Sequence, residues 1–180
     1  LLLKKIIDKE SAEGYCRDGS IFGVHPDVSI PGVDFSTGSL GMGLSYCVGA
    51  AMAARLDKSE RRAFVLLSDA ECNEGSTWES AMYASHHALE NVNVLIDVNG
   101  QQALGLTEDI LTQNQLLDRW RAFGWHAVKV DGHDVEAIKN ALSQGGYGKP
   151  LAVLCQTVFG KGVSFMERQL KSKRELKLDK

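Results

Sequence analysis

Apolar residues along the chain form two alternating patterns, short apolar runs and longer helical stretches. Residues 63–68 form a short continuous apolar run, which is typical of a parallel strand covered on both faces, and residues 92–98, 126–130 and 151–158 are further runs that predict strands. The longer stretches, which are amphipathic or rich in small apolar residues and predict helices, span residues 40–56, 74–89, 114–123 and 135–143. A strand, a helix and a second strand in succession predict a right-handed crossover. We therefore expect an α/β fold with a doubly wound, mostly parallel sheet and helices on both faces.

The length and composition of the chain indicate one domain. Its 180 residues are 44% hydrophobic, which is enough for one substantial core and too few for two domains. We expect the domain to cover residues 1–165, and the charged residues 166–180 to form a tail that is solvated helix or disorder. Residues 1–7 look like the end of an amphipathic helix, so we expect the chain to start inside a fold with upstream material absent.

Charge, hydropathy and cysteine spacing exclude several classes of function. A net charge of -3 and a pI near 6.0 provide no basic surface for nucleic acid. No apolar run approaches the roughly 20 residues of a membrane span. The four cysteines lack CxxC or metal-finger spacing, so we interpret them as free thiols. A reducing, cytoplasmic setting is the expectation.

Candidate chemistry lies at the ends of two predicted strands. Asp69 follows the run 63–68, and Asn99 follows the run 92–98. Ligands bind at the carboxyl ends of strands in open parallel sheets, and carboxylate and amide oxygens suit a hard cation such as Mg²⁺. Taken singly, Asp69 could instead cap a helix and Asn99 could form a turn. Their matched positions at the ends of two strands favour the cation site.

The segments around these two residues resemble a known cofactor motif. Ser68-Asp69-Ala70, Glu74-Gly75 and, thirty residues after the acid, Asp97-Val98-Asn99 are similar to the thiamine diphosphate motif of transketolases. In that family the motif begins Gly-Asp-Gly, so Ser68 and Ala70 replace two glycines. Both replacements are small, which keeps the backbone accessible to a diphosphate.

Further segments carry the same resemblance. His25-Pro26-Asp27 and the loop over residues 37–43 are similar to the His-Pro-Glu segment and the glycine-rich loop of transketolases. Residues 130–134 and 160–167 also match, the latter most like the separately encoded N-terminal half of two-subunit transketolases. The resemblance extends over residues 14–167, which is nearly the whole chain.

The resemblance implies a ligand set for Mg²⁺ and thiamine diphosphate. Asp69 and Asn99 would hold the metal, with the main-chain carbonyl of Gln101 as a third protein ligand. Ala70 would donate its backbone N–H to the diphosphate. Within 180 residues there is room only for the diphosphate-binding domain of such an enzyme.

The resemblance also implies where the organic part of the cofactor and the substrate bind. Gly38 and Leu40 would line the aminopyrimidine and thiazolium rings. His25 would face the substrate as a catalytic residue and hydrogen-bond to its hydroxyls, a role suited to a side chain with donor and acceptor nitrogens. The implied reaction moves a two-carbon ketol unit from a ketose or ketose phosphate to an aldose, with the cofactor as electron sink.

A separate pyrimidine-binding subunit is implied as the partner. The family binds its cofactor between two domains, so we expect a C-terminal transketolase-like subunit, with two such pairs associating into an α2β2 assembly. Glu74 and Glu79 match acids near subunit contacts in the family, and the helices that begin near Leu40 and Glu74 are expected to contribute interface. The upstream histidines of the family are missing, and Ser172-Lys173-Arg174 replaces its Trp-His-Gly segment.

Two other functions compete with ketol transfer. A relative that transfers an acyl group from pyruvate or another 2-oxo acid would use the same cofactor, but His25 favours a sugar donor with hydroxyls to contact. A catalytically degenerate subunit that scaffolds or regulates a partner is suggested by Ser68, Ala70 and the missing histidines. An ordinary nucleotide-binding domain is disfavoured because no GxGxxG follows a predicted strand.

Overall fold

A four-stranded, fully parallel sheet forms the centre of the protein. The computed structural model describes residues 1–167. The strands are β1 (Ala63–Ser68), β2 (Val92–Val98), β3 (Gln101–Gln102), β4 (Gly105–Leu106), β5 (His126–Asp131) and β6 (Leu151–Gln156). The main sheet has the order β1-β2-β6-β5, and β3 and β4 form a small antiparallel hairpin. The predicted parallel sheet is confirmed.

Helices pack on both faces of the sheet. They are α1 (Lys9–Glu13), α2 (Gly43–Leu56), α3 (Gly75–His86), α4 (Thr107–Ile110), α5 (Leu116–Ala122) and α6 (Val135–Gln144). One core contains buried residues of α2, α3 and α5 with one face of the sheet. A second, smaller core lies between α6 and the opposite face of β5 and β6. Alternate residues of β6 enter the two cores, as Leu154 and Val153 do.

The predicted element boundaries hold closely for the strands and less closely for the helices. β1 and β2 have the predicted bounds, and β6 ends two residues early because its neighbours end at Val98 and Asp131. α2 begins at Gly43 rather than residue 40, since Gly41 has φ of +81° and cannot continue a helix. α3 ends at His86 because Ala88 turns to a positive φ of 46°.

The expectation that both faces of β1 are covered is wrong. In the part of the chain that is described, Phe64 is 52% exposed and Leu66 is 71% exposed. The opposite face of β1 is covered by α2, where Gly43 lies against Val65 and Leu67. β1 is an outer strand of the sheet, and the core beneath α6 lies over β5, β6 and Leu95 of β2 on the same face.

The two ends of the chain differ from expectation or lie outside the described residues. Residues 1–7 contain one 3-10 turn, Leu2–Lys4, which ends where Lys5 adopts a φ of +56°. The prediction that these residues form the end of an amphipathic helix is therefore wrong. Residues 168–180, most of the predicted charged tail, lie outside the described residues. Within residues 1–167, every helix is too short or too polar to cross a membrane.

Thiol reagents should modify one cysteine quickly in the native protein. Cys16 is exposed, whereas Cys47, Cys72 and Cys155 are buried. Burial also raises the pKa of the Cys47 and Cys72 thiols to about 12, which leaves almost no reactive thiolate at neutral pH. Mass spectrometry after a short incubation with iodoacetamide should find label on Cys16 alone, and unfolding should expose all four. Rapid native labelling of Cys72 would contradict its burial in the core.

Candidate magnesium and cofactor site

Asp69 is a buried carboxylate directly after β1. Its side chain is 1% exposed, and its Oδ2 accepts a hydrogen bond of 2.9 Å from the hydroxyl of Thr107. Oδ1 is buried and has no hydrogen-bond partner among residues 1–167. A buried, unsatisfied carboxylate oxygen is unfavourable unless a cation or a donor reaches it.

Within residues 1–167, the groups that act on the Asp69 carboxylate are uncharged hydrogen-bond donors and a second carboxylate. Burial raises the pKa of Asp69 above its ordinary value of 3.8, and the negative charge of Asp97 raises it further. The Thr107 hydroxyl and the backbone amides of Ala70 and Gly100 oppose that rise, although neither amide makes a hydrogen bond to Oδ1. A divalent cation at Oδ1 would remove the penalty for the ionised form.

The two replaced glycines are accommodated by the local backbone. Ala70 begins a 3-10 turn, Ala70–Asn73, and its φ lies outside the left-handed region, so its methyl group causes no backbone strain there. Ser68 has a structural role, because its hydroxyl accepts from the Glu71 amide at 3.2 Å while the Glu71 carboxylate accepts from the Ser68 amide at 3.0 Å. This reciprocal pair supports the turn that follows Asp69.

Asn99 lies at the neighbouring strand end with its amide orientation defined. Its Oδ1 accepts from the Gln101 amide at 2.8 Å, and its Nδ2 donates to Asp97 Oδ2 at 3.0 Å. The other oxygen of Asp97 accepts from the hydroxyl of Thr157. Because an amide carbonyl has two lone pairs, Asn99 Oδ1 keeps one for another ligand.

A cavity of about 620 Å³ brings the two predicted metal ligands together. Asp69 and Asn99 both line it, together with Thr107 and Gln113. Gln101, the third predicted ligand, lies in β3 and is not part of this lining. Within residues 1–167, no cluster of three or more His, Cys, Asp or Glu side chains could hold a metal by itself. Asp69 and Asn99 each offer a side-chain oxygen, and Mg²⁺ bound through few protein groups takes its other oxygen ligands from water or a bound phosphate.

The predicted catalytic histidine and two cofactor residues form a separate group. His25, Gly38 and Leu40 are exposed on the segment before α2 and do not line the cavity. The ring of His25 lies directly on Gly38, since a methyl group at residue 38 would come within 2.8 Å of its Cγ. Gly38 has a φ of +132°, which favours glycine.

Asp27 stabilises this segment. Its carboxylate accepts from the Ser29 amide at 2.9 Å and from the Ser36 hydroxyl at 2.7 Å. Hydrogen bonds from Ser29, and then from Ser36, lower the pKa of Asp27 to about 2. The Thr37 amide donates to the Pro26 carbonyl at 3.0 Å. The stretches of chain that carry His25 and Gly38 are therefore joined, although the segment has no regular secondary structure.

Gly41 connects the His25 segment to the Asp69 loop. Its amide donates to the Glu71 carboxylate at 3.3 Å, and its carbonyl accepts from the Ser76 hydroxyl at 3.0 Å. A methyl group at residue 41 would lie 2.6 Å from the Glu74 Cβ, so only glycine fits this contact. The loop that carries Gly38 and Leu40 is therefore fixed to the turn that follows Asp69.

Two residues that contact the site were missed by sequence reasoning. Thr107 and Gln113 follow the second strand in a stretch whose only local signal, Thr-Glu-Asp after Gly-Leu, predicts a helix start. Their contacts with Asp69 span 38 and 44 residues, respectively. Such contacts arise from the tertiary fold and leave no local pattern.

Comparison with known proteins gives the family. Residues 10–173 match the transketolase, thiamine diphosphate binding domain. The chain is 39% identical over 166 residues to one of the subunits of the apulose-4-phosphate transketolase of Phocaeicola vulgatus, covering 91% of this chain and 59% of that protein. It is 38% identical over 175 residues to the 6-deoxy-6-sulfo-D-fructose transketolase subunit SqwG of a Clostridium species, covering 96% of this chain and 64% of that protein.

Solved structures agree with the sequence relatives. The transketolase of Campylobacter jejuni superposes with a TM-score of 0.84 at 29% identity, covering 91% of this chain and 27% of that one. The chain spans about three fifths of the length of the two relatives named above. The family match, the two subunit relatives and the shared parallel sheet agree, and the chain belongs to the transketolase family through its thiamine diphosphate binding domain.

Proposed function

We propose that this chain is the N-terminal subunit of a two-subunit, transketolase-like transferase. It would move a two-carbon ketol unit from a ketose or ketose phosphate to an aldose. The observation that carries the proposal is the buried Asp69 carboxylate, which lines a cavity together with Asn99 and whose Oδ1 has no hydrogen-bond partner among residues 1–167. Two relatives named as transketolase subunits support the same activity.

The residues present fit Mg²⁺ and thiamine diphosphate. Asp69 Oδ1 and the free lone pair of Asn99 Oδ1 would hold the metal, with the Gln101 carbonyl as a third ligand and the Ala70 amide directed to the diphosphate. The small side chains of Ser68 and Ala70 leave room for that approach. When bound, thiamine diphosphate supplies the electron sink for breaking and forming the carbon–carbon bond.

His25 would bind and orient the sugar. Its exposed ring is held against Gly38, so one nitrogen could donate to a substrate hydroxyl while the other accepts. A donor without hydroxyls next to the reacting carbon would lose these contacts. This preference supports ketol transfer over acyl transfer from a 2-oxo acid.

A pyrimidine-binding subunit would complete the site. Exposed apolar side chains on α3, such as Met82 and Tyr83, and the exposed Leu40 before α2 provide surface for it. We assign an α2β2 assembly and a cytoplasmic location to the complex as part of the proposal. The buried free thiols are compatible with a reducing compartment.

Calorimetry on the assembled complex tests the cofactor site. The chain would be purified with its pyrimidine-binding partner and titrated with thiamine diphosphate, with and without Mg²⁺. We expect metal-dependent binding in the complex and weak binding to the separated subunits. If the complex binds no cofactor, the enzymatic proposal is wrong and the chain is a scaffold or regulatory subunit.

Donor preference tests the reaction itself. With the loaded complex, a ketose phosphate should support transfer to an aldose acceptor, and pyruvate should support little or none. Product formation would be followed by mass spectrometry. A clear preference for pyruvate would replace ketol transfer with acyl transfer.

A further inference from the structure

A relay of four polar side chains joins α5 to the loops around the proposed metal ligands. Arg119 Nη1 donates to Gln113 Oε1 at 3.0 Å. Gln113 Nε2 donates to Asn73 Oδ1, and Asn73 Nδ2 donates to Gln102 Oε1 at 3.2 Å. All four residues are partly buried, where hydrogen bonds are less exposed to competition from water.

Arg119 determines which atom is the donor and which the acceptor in every hydrogen bond of this relay. A guanidinium can only donate, so Gln113 must present its carbonyl oxygen to Arg119 and its NH₂ group to the Asp69 loop. Asn73 must then present Oδ1 to Gln113 and its NH₂ group to Gln102. The same Gln113 Nε2 lies 3.5 Å from the main-chain carbonyl oxygen of Asp69. Arg119 therefore fixes the orientation of three amide side chains.

The relay crosses three segments that meet at the site. Asn73 is the last residue of the 3-10 turn that follows Asp69. Gln102 lies in β3 beside Gln101. Gln113 lies three residues before α5, and its carbonyl accepts from the amide of Leu116, the first residue of that helix, at 2.9 Å.

We infer that Gln113 is a positioning residue, which fixes the Asp69 loop relative to the β3–β4 hairpin and so sets the spacing of the metal ligands. This inference rests on the proposed function for its metal. The restraint that Gln113 places on the loop does not depend on the metal and applies to the metal-free chain as well. Gln113 restrains the Asp69 loop through its hydrogen bonds to Asn73 and to the Asp69 backbone. This role requires no contact between Gln113 and the substrate.

A general role in fold stability would have a different signature. α5 is anchored in the core by Leu116 and Trp120, which are buried independently of Gln113. Loss of the relay should therefore free the loop without unfolding the helix. Hydrogen exchange distinguishes the two roles, because the Cys72 amide bonds to the Asp69 carbonyl at 3.1 Å and reports directly on this turn.

The test compares Gln113→Leu with Gln115→Leu in the complex with its partner subunit. Gln115 is an exposed residue of the same segment, so the second variant is a matched control. We expect Gln113→Leu to weaken Mg²⁺ binding about 10-fold, in the range found when groups that orient metal ligands are removed. Amides of residues 70–74 should exchange faster, while kcat at saturating Mg²⁺ and cofactor stays near wild type. Gln115→Leu should change none of these.

A second pair of variants tests the direction of the relay. Gln113→Glu keeps an acceptor for Arg119 but has no NH₂ group for Asn73, so it should resemble Gln113→Leu. Asn73→Asp still accepts from Gln113 but cannot donate to Gln102, and combining it with Gln113→Leu should give less than the sum of the two effects on Mg²⁺ affinity.

The outcomes separate this inference from the proposed function. If wild type binds Mg²⁺ and thiamine diphosphate but Gln113→Leu leaves both affinity and exchange unchanged, the positioning role is wrong and the function stands. If wild type binds neither, the proposed function fails, and faster exchange at residues 70–74 in Gln113→Leu still supports the restraint on the loop. Equal acceleration of exchange throughout α5 would instead show a general role in stability and overturn the inference.

Discussion

Asp69→Asn should abolish Mg²⁺-dependent binding of thiamine diphosphate while stabilising the metal-free chain. The substitution removes the negative charge that would hold the cation, so we expect cofactor affinity in the complex to fall by at least about 100-fold. In the metal-free chain the same charge is buried, and its charged neighbour within residues 1–167 is the Asp97 carboxylate, which raises its pKa further. Neutralising it should raise the free energy of unfolding by about 1 kcal/mol.

The stabilisation should depend on pH in a defined direction. Burial raises the pKa of Asp69 in the folded chain above its ordinary value of 3.8. The folded state then binds more protons than the unfolded state between the two pKa values, so wild-type stability falls as pH rises through that window. The gain from Asp69→Asn should therefore be present at neutral pH and disappear below the ordinary pKa.

Urea unfolding and calorimetry measure the two effects of Asp69→Asn. Asp118→Asn is a suitable control because Asp118 is an exposed residue of α5 that forms a surface ion pair with Arg121 at 3.6 Å. We expect this control to change the free energy of unfolding by less than about 0.5 kcal/mol. Wild-type cofactor affinity in Asp69→Asn would rule out this carboxylate as a metal ligand.

Gly38→Ala should lower kcat/KM by about 100-fold, the loss that a small displacement of a positioned group can cause. The new methyl group would lie 2.8 Å from the His25 ring, and the φ of +132° at residue 38 disfavours any side chain. The histidine must then leave its position. Initial rates with a ketose phosphate donor would measure the effect in the assembled complex.

Gly23→Ala provides the control for Gly38→Ala. Gly23 lies two residues before His25, its φ is outside the left-handed region, and no atom of residues 1–167 lies within 4 Å of a methyl group placed there. This variant should retain activity. Equal activity of the two variants would show that the contact between His25 and residue 38 has no part in the reaction.

The strands could be predicted from sequence because each is a short, mostly apolar run next to polar residues. The bounds of β1 and β2 depend on that local pattern alone. The position of β1 at the edge of the sheet cannot be predicted from that pattern. The apolar run Ala63-Phe64-Val65-Leu66-Leu67 is equally compatible with an edge strand and with a central strand. Strand order depends on contacts distant in sequence, and the exposure of Phe64 and Leu66 could not be inferred from the run.

The candidate site residues that belong to a short sequence motif could be predicted from the sequence. Asp69 and Asn99 follow adjacent strands, so their position at one cavity follows from the fold. Thr107 and Gln113 come from elements that only the finished fold brings to Asp69. The motif thus identifies the candidate ligands, and the structure adds the residues that hold them.

The open side of β1 bears on how this protein can be handled in the laboratory. An outer strand leaves backbone donors and acceptors unpaired, and such an edge is a template for pairing with other chains. Beside it, Phe64 and Leu66 present apolar side chains to solvent. A chain with this edge uncovered is prone to aggregation at high concentration. Co-expression with a binding partner and purification at low concentration are therefore the conditions that favour a soluble preparation.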